Sequence, residues 1–487
     1  MHFNYQVIIK VIGIITTIIG ITMIPSLLVS FIYGETEVAI AFLMSITPSV
    51  IVGGIIVLKM KPLSSFVKIR DGYLIVAICW ILASILGAFP YIFSGVIPSF
   101  ILAFFESASG FTTTGTTIID ELSSIPKGLL FWRSFCHWLG GMGILILIIS
   151  ILPALGIGGQ RIASAEAPGP SLEKMSTRMT DSAKILYIMY ISFTIAAIIL
   201  LRLGGMNWFD AFIHAFGSMG TGGTSNYSSG VAHFNSLYVE LVIIIFSILA
   251  SINFILYSHI LKGRWRDFFK DSELRVFLFI LGCAFLLVML NIRIFGSYNS
   301  LGEAIRLSFF HTTAFISTSG YSTTDYTLWP AFSQIILFTL MLIGGCSAST
   351  CGSIKVIRII IMFKLIVRGL YRRLHPNSVV PVKLKGKTIS SETVSRVSSF
   401  LILYFVLFVF SSLVISLDNY DMITTLSAAA STLSNTGVGF GLIGPSGTYS
   451  MFSDPILLYL SLLMIAGRLE LFTIVLLFTP SFWSSDR

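Results

Sequence analysis

A short glycine-centred loop occurs four times in the sequence and constrains the fold more than any other feature. Each copy centres on a Thr-Gly or Ser-Gly pair, and the copies recur at similar intervals along the chain. The pairs are Thr114-Gly115, Thr221-Gly222, Ser319-Gly320 and Thr436-Gly437. The residues that flank them are Thr113, Gly220, Thr318 and Asn435. Four similar loops in one chain indicate four-fold repetition around a common axis, which we interpret as an ion pore.

The composition places these loops in a membrane protein built of helices. Of the 487 residues, 55% are hydrophobic and only 11% are charged, whereas a soluble protein carries about 25% charged residues. Helices satisfy their own backbone hydrogen bonds in lipid, and the apolar runs are long enough to span a bilayer. The net charge of +9 does not indicate nucleic-acid binding, because basic residues of membrane proteins collect in cytoplasmic loops.

Each loop follows a half-length apolar segment and lies between two longer apolar runs. The first such segment, Ser99–Ser109, is too short to cross a bilayer, which needs about 20 residues, but it is long enough for a re-entrant helix. Irregular backbone is tolerated at membrane depth only where protein or water satisfies it. The sequence therefore predicts an all-α polytopic fold, with four span–pore-helix–span repeats around a pseudo-four-fold pore and two extra N-terminal transmembrane helices.

This pattern predicts ten full spans and four re-entrant segments. Residues 1–70 hold the two N-terminal helices, and the four repeats cover residues 71–160, 161–270, 271–390 and 391–487. Predicted helix caps precede the re-entrant segments: N-caps at Ser99, Asn207 and Asp421, and a capping box of Ser300 and Glu303. The longer interval in repeat three suggests that its half-helix starts later.

The distribution of basic residues predicts the orientation. The loops 59–70, 161–184, 262–275 and 364–387 are rich in Lys and Arg. All four fall on the same side as both termini, so this side is expected to be cytoplasmic. The four glycine loops then open toward the outside.

The chemistry of the loops suits a bare cation such as K⁺. Rings of backbone carbonyls can replace the hydration oxygens of the ion without adding fixed charge. Glycine allows the backbone conformation that points successive carbonyls at one axis. Each half-helix also directs its partly negative C-terminal end toward the loop. A single Gly/Thr loop would be read as a turn between helices, but four copies in the same setting favour an ion filter.

Two further features lie inside predicted spans. The second span of repeat three is interrupted by a run of small residues that includes Gly344, Gly345, Ser347, Ser349 and Gly352. This run predicts either a bend in the helix or close packing of helices through small side chains. Its two cysteines, Cys346 and Cys351, are expected to pack rather than to bind a metal, because no histidine or further cysteine lies near them.

A charged residue, Arg468, lies inside the last predicted span. Charges at this depth are costly and are usually functional. Arg468 is expected either to face the pore or to pair with a carboxylate such as Glu470. Glu106, inside the first half-helix, is expected either to place negative charge near the pore entrance or to pack against a donor.

With these features the chain resembles the Trk/Ktr/HKT superfamily of potassium transporters, and most of all its bacterial TrkH branch, which has two extra N-terminal spans. The resemblance implies a K⁺ filter centred on Gly115, Gly222, Gly320 and Gly437 and lined by Thr114, Thr221, Ser319 and Thr436. It also implies that the interrupted span forms an intramembrane gating loop and that Arg468 faces the pore beneath the filter.

The resemblance implies partners and a location as well. It predicts a homodimer in the bacterial inner membrane and a cytosolic nucleotide-binding regulatory subunit of the TrkA type. It gives K⁺ as the transported ion, with no organic cofactor in this chain. One alternative is a secondary transporter of another cation or a small organic solute, but such transporters commonly use inverted repeats, whereas these four share one orientation. An enzyme is not predicted, because no clustered catalytic residues are evident.

Overall fold

The computed structural model describes residues 3–60, 68–143, 179–295, 298, 300–378, 380–384 and 387–484. Residues 61–67 and 144–178 lie outside these ranges. They include part of the predicted basic loop 59–70, most of the loop 161–184 and the end of the predicted first repeat, 71–160. The described chain is almost entirely helical.

The N-terminal helices pack together and against the first repeat. Helices α1 (Tyr5–Thr22) and α2 (Ile24–Ile32) form one apolar run, with a proline in the first turn of α2, and helix α3 (Thr36–Lys59) packs along both. Their apolar side chains share a core with helix α4 (Ile69–Phe93). These helices carry no glycine loop, so they stand outside the repeated unit.

The rest of the chain repeats one arrangement, in which a long helix, a half-length helix, a loop and a second long segment follow each other. The first copy consists of α4, α5 (Phe100–Phe111) and α6 (Lys127–Gly141). The second consists of α7 (Met179–Leu203), α8 (Trp208–Gly220), α9 (Leu237–Ser251) and α10 (Phe254–Leu261), followed by the short α11 (Trp265–Phe269).

The third and fourth copies have the same order of elements. The third consists of α12 (Ser272–Ile294), α13 (Leu301–Ile316), α14 (Ala331–Ile343) and α15 (Val356–Leu374). A two-stranded antiparallel hairpin of β1 (Lys383–Leu384) and β2 (Lys387–Thr388) follows it. The fourth consists of α16 (Ser391–Ile415), α17 (Met422–Ser434), α18 (Asp454–Arg468) and α19 (Phe472–Val475), and α20 (Pro480–Trp483) follows.

Two of the predicted helix caps form and two do not. The side chain of Asn207 accepts a hydrogen bond from the amide of Asp210 at 2.8 Å, and Asp421 accepts one from the amide of Thr424 at 3.0 Å. The hydrogen bonds that Thr424 donates to Asp421 also lower the pKa of the Asp421 carboxyl. Ser99 and Ser300 make no side-chain cap bond. The predicted capping box in repeat three is therefore wrong, and so is the later start, because α13 begins directly after Ser300.

The second spans of repeats two and four are broken, which the sequence analysis did not predict. Among the described residues, six helices are long and apolar enough to cross a membrane, or up to eight if each bent pair counts as one span. The bent pairs turn by 94° between α9 and α10 and by 116° after α18. The longer apolar run that follows each glycine loop was predicted to be a single span, and because the chain stays apolar through the breaks, hydropathy does not reveal them.

Candidate functional site

All four half-helices end in the same cap. The residue after each helix's last turn takes a left-handed conformation. The amide of the residue that follows it donates to the carbonyl of the residue five positions before that amide, at 2.9–3.0 Å. This is the Schellman arrangement, which usually places glycine at the left-handed position. Here the left-handed residues are Thr113, Thr221, Thr318 and Asn435, with φ of 57°, 53°, 53° and 54°.

Threonine at these positions is strained. A non-glycine residue in this region costs on the order of 1–3 kcal/mol, and a β-branched one is a real outlier, so it persists only where its surroundings over-determine it. At two of the four positions, the side chain of the left-handed residue bonds a neighbouring segment. The hydroxyl of Thr318 accepts a bond from the backbone amide of Gly352 at 3.0 Å, and the side-chain Nδ2 of Asn435 donates to the hydroxyl of Thr114 at 3.0 Å.

The shared cap fixes how the four loops align, and it corrects the predicted alignment of repeat two. Two residues after each left-handed residue comes a glycine with positive φ. These glycines are Gly115, Gly223, Gly320 and Gly437, with φ of 87°, 61°, 68° and 89°. Gly222 therefore corresponds to Thr114, Ser319 and Thr436, and its prediction as the central glycine was wrong by one residue. Repeat two has two adjacent glycines, and only the fold decides which of them takes positive φ.

The four loops meet in a closed ring. A β-carbon added to any of the four glycines would approach the backbone carbonyl oxygen of the next loop to less than 3.0 Å, a separation that real β-carbons essentially never show. The glycine–carbonyl pairs are Gly115 with Gly222, Gly223 with Ser319, Gly320 with Thr436, and Gly437 with Thr114. Each loop thus touches the next with the same pair of positions, and the fourth loop returns to the first. Both the space and the backbone conformation require glycine here.

An open cleft lies over this ring. All four ring glycines line it, together with Thr116, Asp120 and Arg133 among others. Asp120 accepts a hydrogen bond from the hydroxyl of Ser450 at 3.0 Å, in the segment that follows the fourth loop. The ring is therefore accessible from one side through a vestibule built by several loops.

Each half-helix is tied to the segment that leaves its own loop by one polar side chain. Glu106 accepts bonds from the hydroxyl of Thr117 and the amide of Ile118. In repeat two the Nε2 atom of His214 lies 3.2 Å from the hydroxyl of Ser225. In repeat three the amide of Thr323 donates to His311 at 3.5 Å. In repeat four the amide of Phe440 donates to Ser427 at 2.6 Å. We call Glu106, His214, His311 and Ser427 the brace residues.

The brace residues share a sequence signal, which is their distance from the loop. Glu106, His214 and His311 each lie seven residues before the left-handed residue of their loop, and Ser427 lies eight before. Glu106 also forms an ion pair with Arg133, with Nε and Oε1 2.6 Å apart and both side chains buried. Of the two roles predicted for Glu106, the structure shows the second, in which its carboxylate packs against hydrogen-bond donors.

The interrupted span of repeat three forms a loop from Gly344 to Lys355 that lies against the ring. The amide of Gly352 donates to Thr318 in the third loop. A β-carbon on Gly352 would overlap the carbonyl oxygen of Ser434 at the end of the fourth half-helix. We call residues 344–355 the intramembrane loop.

The intramembrane loop is held at the break in the second span of repeat two. The amides of Cys346 and Thr350 donate to the carbonyls of Ser251 and Ala250, at the end of α9, at 2.9 and 3.3 Å. In return, the amide of Phe254 at the start of α10 donates to Ala348 at 3.1 Å. The broken helices thereby satisfy the backbone groups that their breaks expose.

The cysteines of the intramembrane loop are reduced and buried. The thiol of Cys351 donates to the hydroxyl of Ser251 at 3.2 Å. In the described part of the chain no group of three or more His, Cys, Asp or Glu residues could hold a metal ion. The two cysteines pack within the loop.

Arg468 joins the last span to the intramembrane loop. Its guanidinium donates to the carbonyl of Thr350 at 2.6 Å and to the carbonyls of Gly140 and Gly141, at the end of α6, at 2.6 and 2.9 Å. Glu470 forms an ion pair with Arg358 of α15, whose guanidinium also lies 3.9 Å from the ring centroid of Phe400. Arg468 thus contacts the first and third repeats from the fourth.

Comparison with known proteins identifies the family of this chain. The model of the TrkH family, described as "Cation transport protein", matches residues 39–485. The chain belongs to the TrkH family. It is similar to the Trk system potassium uptake protein TrkG of Escherichia coli K12, with 34% identity over 485 residues that cover 99% of each chain. It is 35% identical to TrkH of the same strain over 491 residues, covering 99% of this chain and 100% of that protein.

A solved TrkH structure matches along its whole length. The crystal structure of the potassium transporter TrkH from Vibrio parahaemolyticus superimposes with a TM-score of 0.88 and 33% sequence identity. The match covers 99% of this chain and 100% of that one. These findings confirm the predicted family, the all-helical membrane fold and the prediction that the protein is not an enzyme.

Proposed function

We propose that the chain is the K⁺-translocating subunit of a Trk-type potassium uptake system. The observation that carries the proposal is the closed ring in which four glycines of one chain each face a carbonyl of the next loop. The TrkH-family relatives are named as potassium uptake proteins, which supports K⁺ as the ion.

The ring is suited to a dehydrated cation. Backbone carbonyls replace the water around the ion, and the four half-helices turn their partly negative ends toward it. The residues that we assign to the filter are Thr113, Thr114, Gly115, Gly220, Thr221, Gly222, Gly223, Thr318, Ser319, Gly320, Asn435, Thr436 and Gly437. With a single positive-φ glycine in each loop, we expect fewer ordered ion sites and weaker K⁺/Na⁺ discrimination than in a filter with longer runs of ring carbonyls.

The intramembrane loop and Arg468 form the gate in this proposal. Gly344, Gly345, Ser347, Ser349 and Gly352 give the loop a small, polar surface directly against the third and fourth filter loops. Arg468 places a fixed positive charge beside the same loop, which raises the barrier to a passing cation. Opening the path requires the loop to move and the hydrogen bonds of Arg468 to be replaced.

The basic loops indicate which side of the protein faces the cytoplasm, and therefore in which direction K⁺ is taken up. Lys262, Arg264, Arg266 and Lys270 are all exposed around α11. By the positive-inside rule this side, with both termini, is cytoplasmic, in the inner membrane of a bacterium. Inward movement of K⁺ is then favoured by about 2.3 kcal/mol for each 100 mV of inside-negative potential. The exposed cationic surface is the proposed docking face for a cytosolic nucleotide-binding subunit of the TrkA type, and we expect a homodimer.

The test is ion flux in proteoliposomes. Gly115, Gly223, Gly320 and Gly437 are each changed to Ser, and K⁺, Rb⁺ and Na⁺ uptake is measured for equal amounts of folded protein. Gly282→Ser is the matched control, because a β-carbon at this helical glycine meets nothing within 4 Å. We expect the ring variants to lose uptake or K⁺/Na⁺ preference and the control to retain both. Normal K⁺ uptake and selectivity in all four ring variants would overturn the proposal.

A further inference from the structure

A buried carboxylate, Glu273, contacts both ends of the intramembrane loop. It lies in the first turn of α12 and its side chain is 5% exposed. At the start of the loop, the amide and the hydroxyl of Ser347 donate to its two oxygens, both at 2.6 Å. Beyond the end of the loop, the amide of Ile357 donates to Oε1 at 3.2 Å. One side chain from a different helix thus holds both sides of the loop.

Glu273 also supplies a cap that α15 lacks. The residue before α15 is Lys355, which has a positive φ of 72° and makes no side-chain cap bond. The first turn of a helix has free amides and a partly positive end, both of which favour a carboxylate. Glu273 provides that carboxylate across the interface between α12 and α15. The starting position of α15, and with it the end of the loop, therefore depends on α12.

We propose that Glu273 is a positioning residue that latches the intramembrane loop under the filter. The inference deepens the proposed function, because it rests on the loop being the gate. The two bonds from Ser347 to Glu273 anchor the loop to α12, in addition to the backbone bonds that tie it to α9. Without the carboxylate, the loop keeps its bonds to Ser251 and Thr318 but is released at Ser347 and at Ile357.

This arrangement separates gating from selectivity. The carboxylate of Glu273 accepts hydrogen bonds from the loop and from α15, and the ring is held by contacts among the four filter loops. Loss of the latch should therefore raise basal flux while leaving the K⁺/Na⁺ preference unchanged. A merely structural role would instead lower the amount of folded protein and leave the flux per folded molecule as it was.

The first experiment measures Rb⁺ uptake into proteoliposomes in the absence of any regulatory subunit. Glu273→Gln retains the size of the side chain but replaces one acceptor oxygen with a donor, and Ser347→Ala removes only the hydroxyl partner. Glu392→Gln is the matched control, because Glu392 lies in the first turn of α16 and its side chain is 72% exposed. We expect roughly tenfold higher basal flux for Glu273→Gln, a smaller rise for Ser347→Ala and no change for the control.

The second experiment detects loop release directly and keeps the inference testable if flux is low. Cys346 and Cys351 are 0% and 2% exposed, so their reaction with a water-soluble maleimide reports opening of the loop. In a Cys283→Ser background, we expect the labelling rate of these two cysteines to rise about tenfold in Glu273→Gln. Mass spectrometry of digested protein assigns the labelled cysteine.

The outcomes distinguish the inference from the proposed function. If Arg468→Gln raises basal flux but Glu273→Gln changes neither flux nor labelling, the gate stands and the latch is wrong. If no variant, nor the unchanged protein, transports K⁺ or Rb⁺, the proposed function fails. Higher labelling with a lost K⁺/Na⁺ preference would also overturn the inference, because it would show that Glu273 supports the filter itself.

Discussion

The guanidinium of Arg468 and the carbonyl oxygen of Thr350 lie 2.6 Å apart, so the last span is bonded directly to the intramembrane loop. The same guanidinium reaches the end of α6 through Gly140 and Gly141. A charged side chain in this setting bridges three repeats, and its bonds must break or rearrange if the loop moves. If the intramembrane loop is the gate, as we propose, Arg468 is a point at which gating can be perturbed without touching the ring.

Replacing Arg468 with Gln should increase basal cation flux. The change removes the fixed positive charge and at least part of a set of charge-assisted hydrogen bonds, each worth about 1.5–3 kcal/mol. A loss of about 1.4 kcal/mol from the barrier corresponds to a tenfold increase. Rb⁺ uptake by proteoliposomes measures it, with the exposed Arg293→Gln as control. Flux equal to or below that of the unchanged protein would show that Arg468 does not close the pathway.

Gly223→Ala should impair transport more than Gly222→Ala. At Gly223 the added methyl group meets the backbone of Ser319 and the residue must hold a φ of 61°, so no side-chain movement relieves the clash. At Gly222 the methyl group meets the ring of His137, which is a side chain and can shift. Comparative uptake of K⁺ and Na⁺ by the two variants tests the corrected alignment. If Gly222→Ala impaired uptake more than Gly223→Ala, the alignment based on the Thr-Gly pair would be the correct one.

Thr318→Val should loosen the intramembrane loop, whereas Thr318→Ser should not. Valine keeps the branched shape but cannot accept the bond from the amide of Gly352, while serine retains the hydroxyl. The unsatisfied buried amide costs about 1–3 kcal/mol, which favours states in which the loop has moved and water reaches it. Thiol labelling of Cys351 together with Rb⁺ flux measures the effect. Equal labelling of the two variants would exclude a role for this hydroxyl in holding the loop.

Glu106→Gln should weaken both the fold and the filter of repeat one. The change leaves Arg133 buried beside a neutral amide and removes an acceptor shared with Thr117 and Ile118. Breaking a buried ion pair from one side typically costs about 3–5 kcal/mol. We expect a lower thermal unfolding temperature and a reduced K⁺/Na⁺ preference, with exposed Glu121→Gln as the control. A stability loss without any change in selectivity would limit the brace to a structural role.

Much of the architecture followed from local patterns. The half-helices were predicted because each apolar segment is too short to span, and their caps at Asn207 and Asp421 follow from side chains that accept amide bonds. The interruption at Gly344–Ser353 was visible because small residues, several of them polar, replace large apolar ones within a span. The breaks after Ser251 and Arg468 were not visible, because the chain stays apolar through them and the backbone groups are satisfied by other repeats.

The sequence by itself determined the membrane fold, the four-fold repetition and the positions of the glycine loops, because hydropathy, segment length and glycine placement act locally along the chain. Only the tertiary structure decided that Gly223 takes the ring position, that Glu106 pairs with Arg133 and that Glu273 holds the intramembrane loop. These relationships join residues far apart in sequence. They depend on which backbone groups are left unsatisfied when the repeats pack together, a quantity that no local pattern contains.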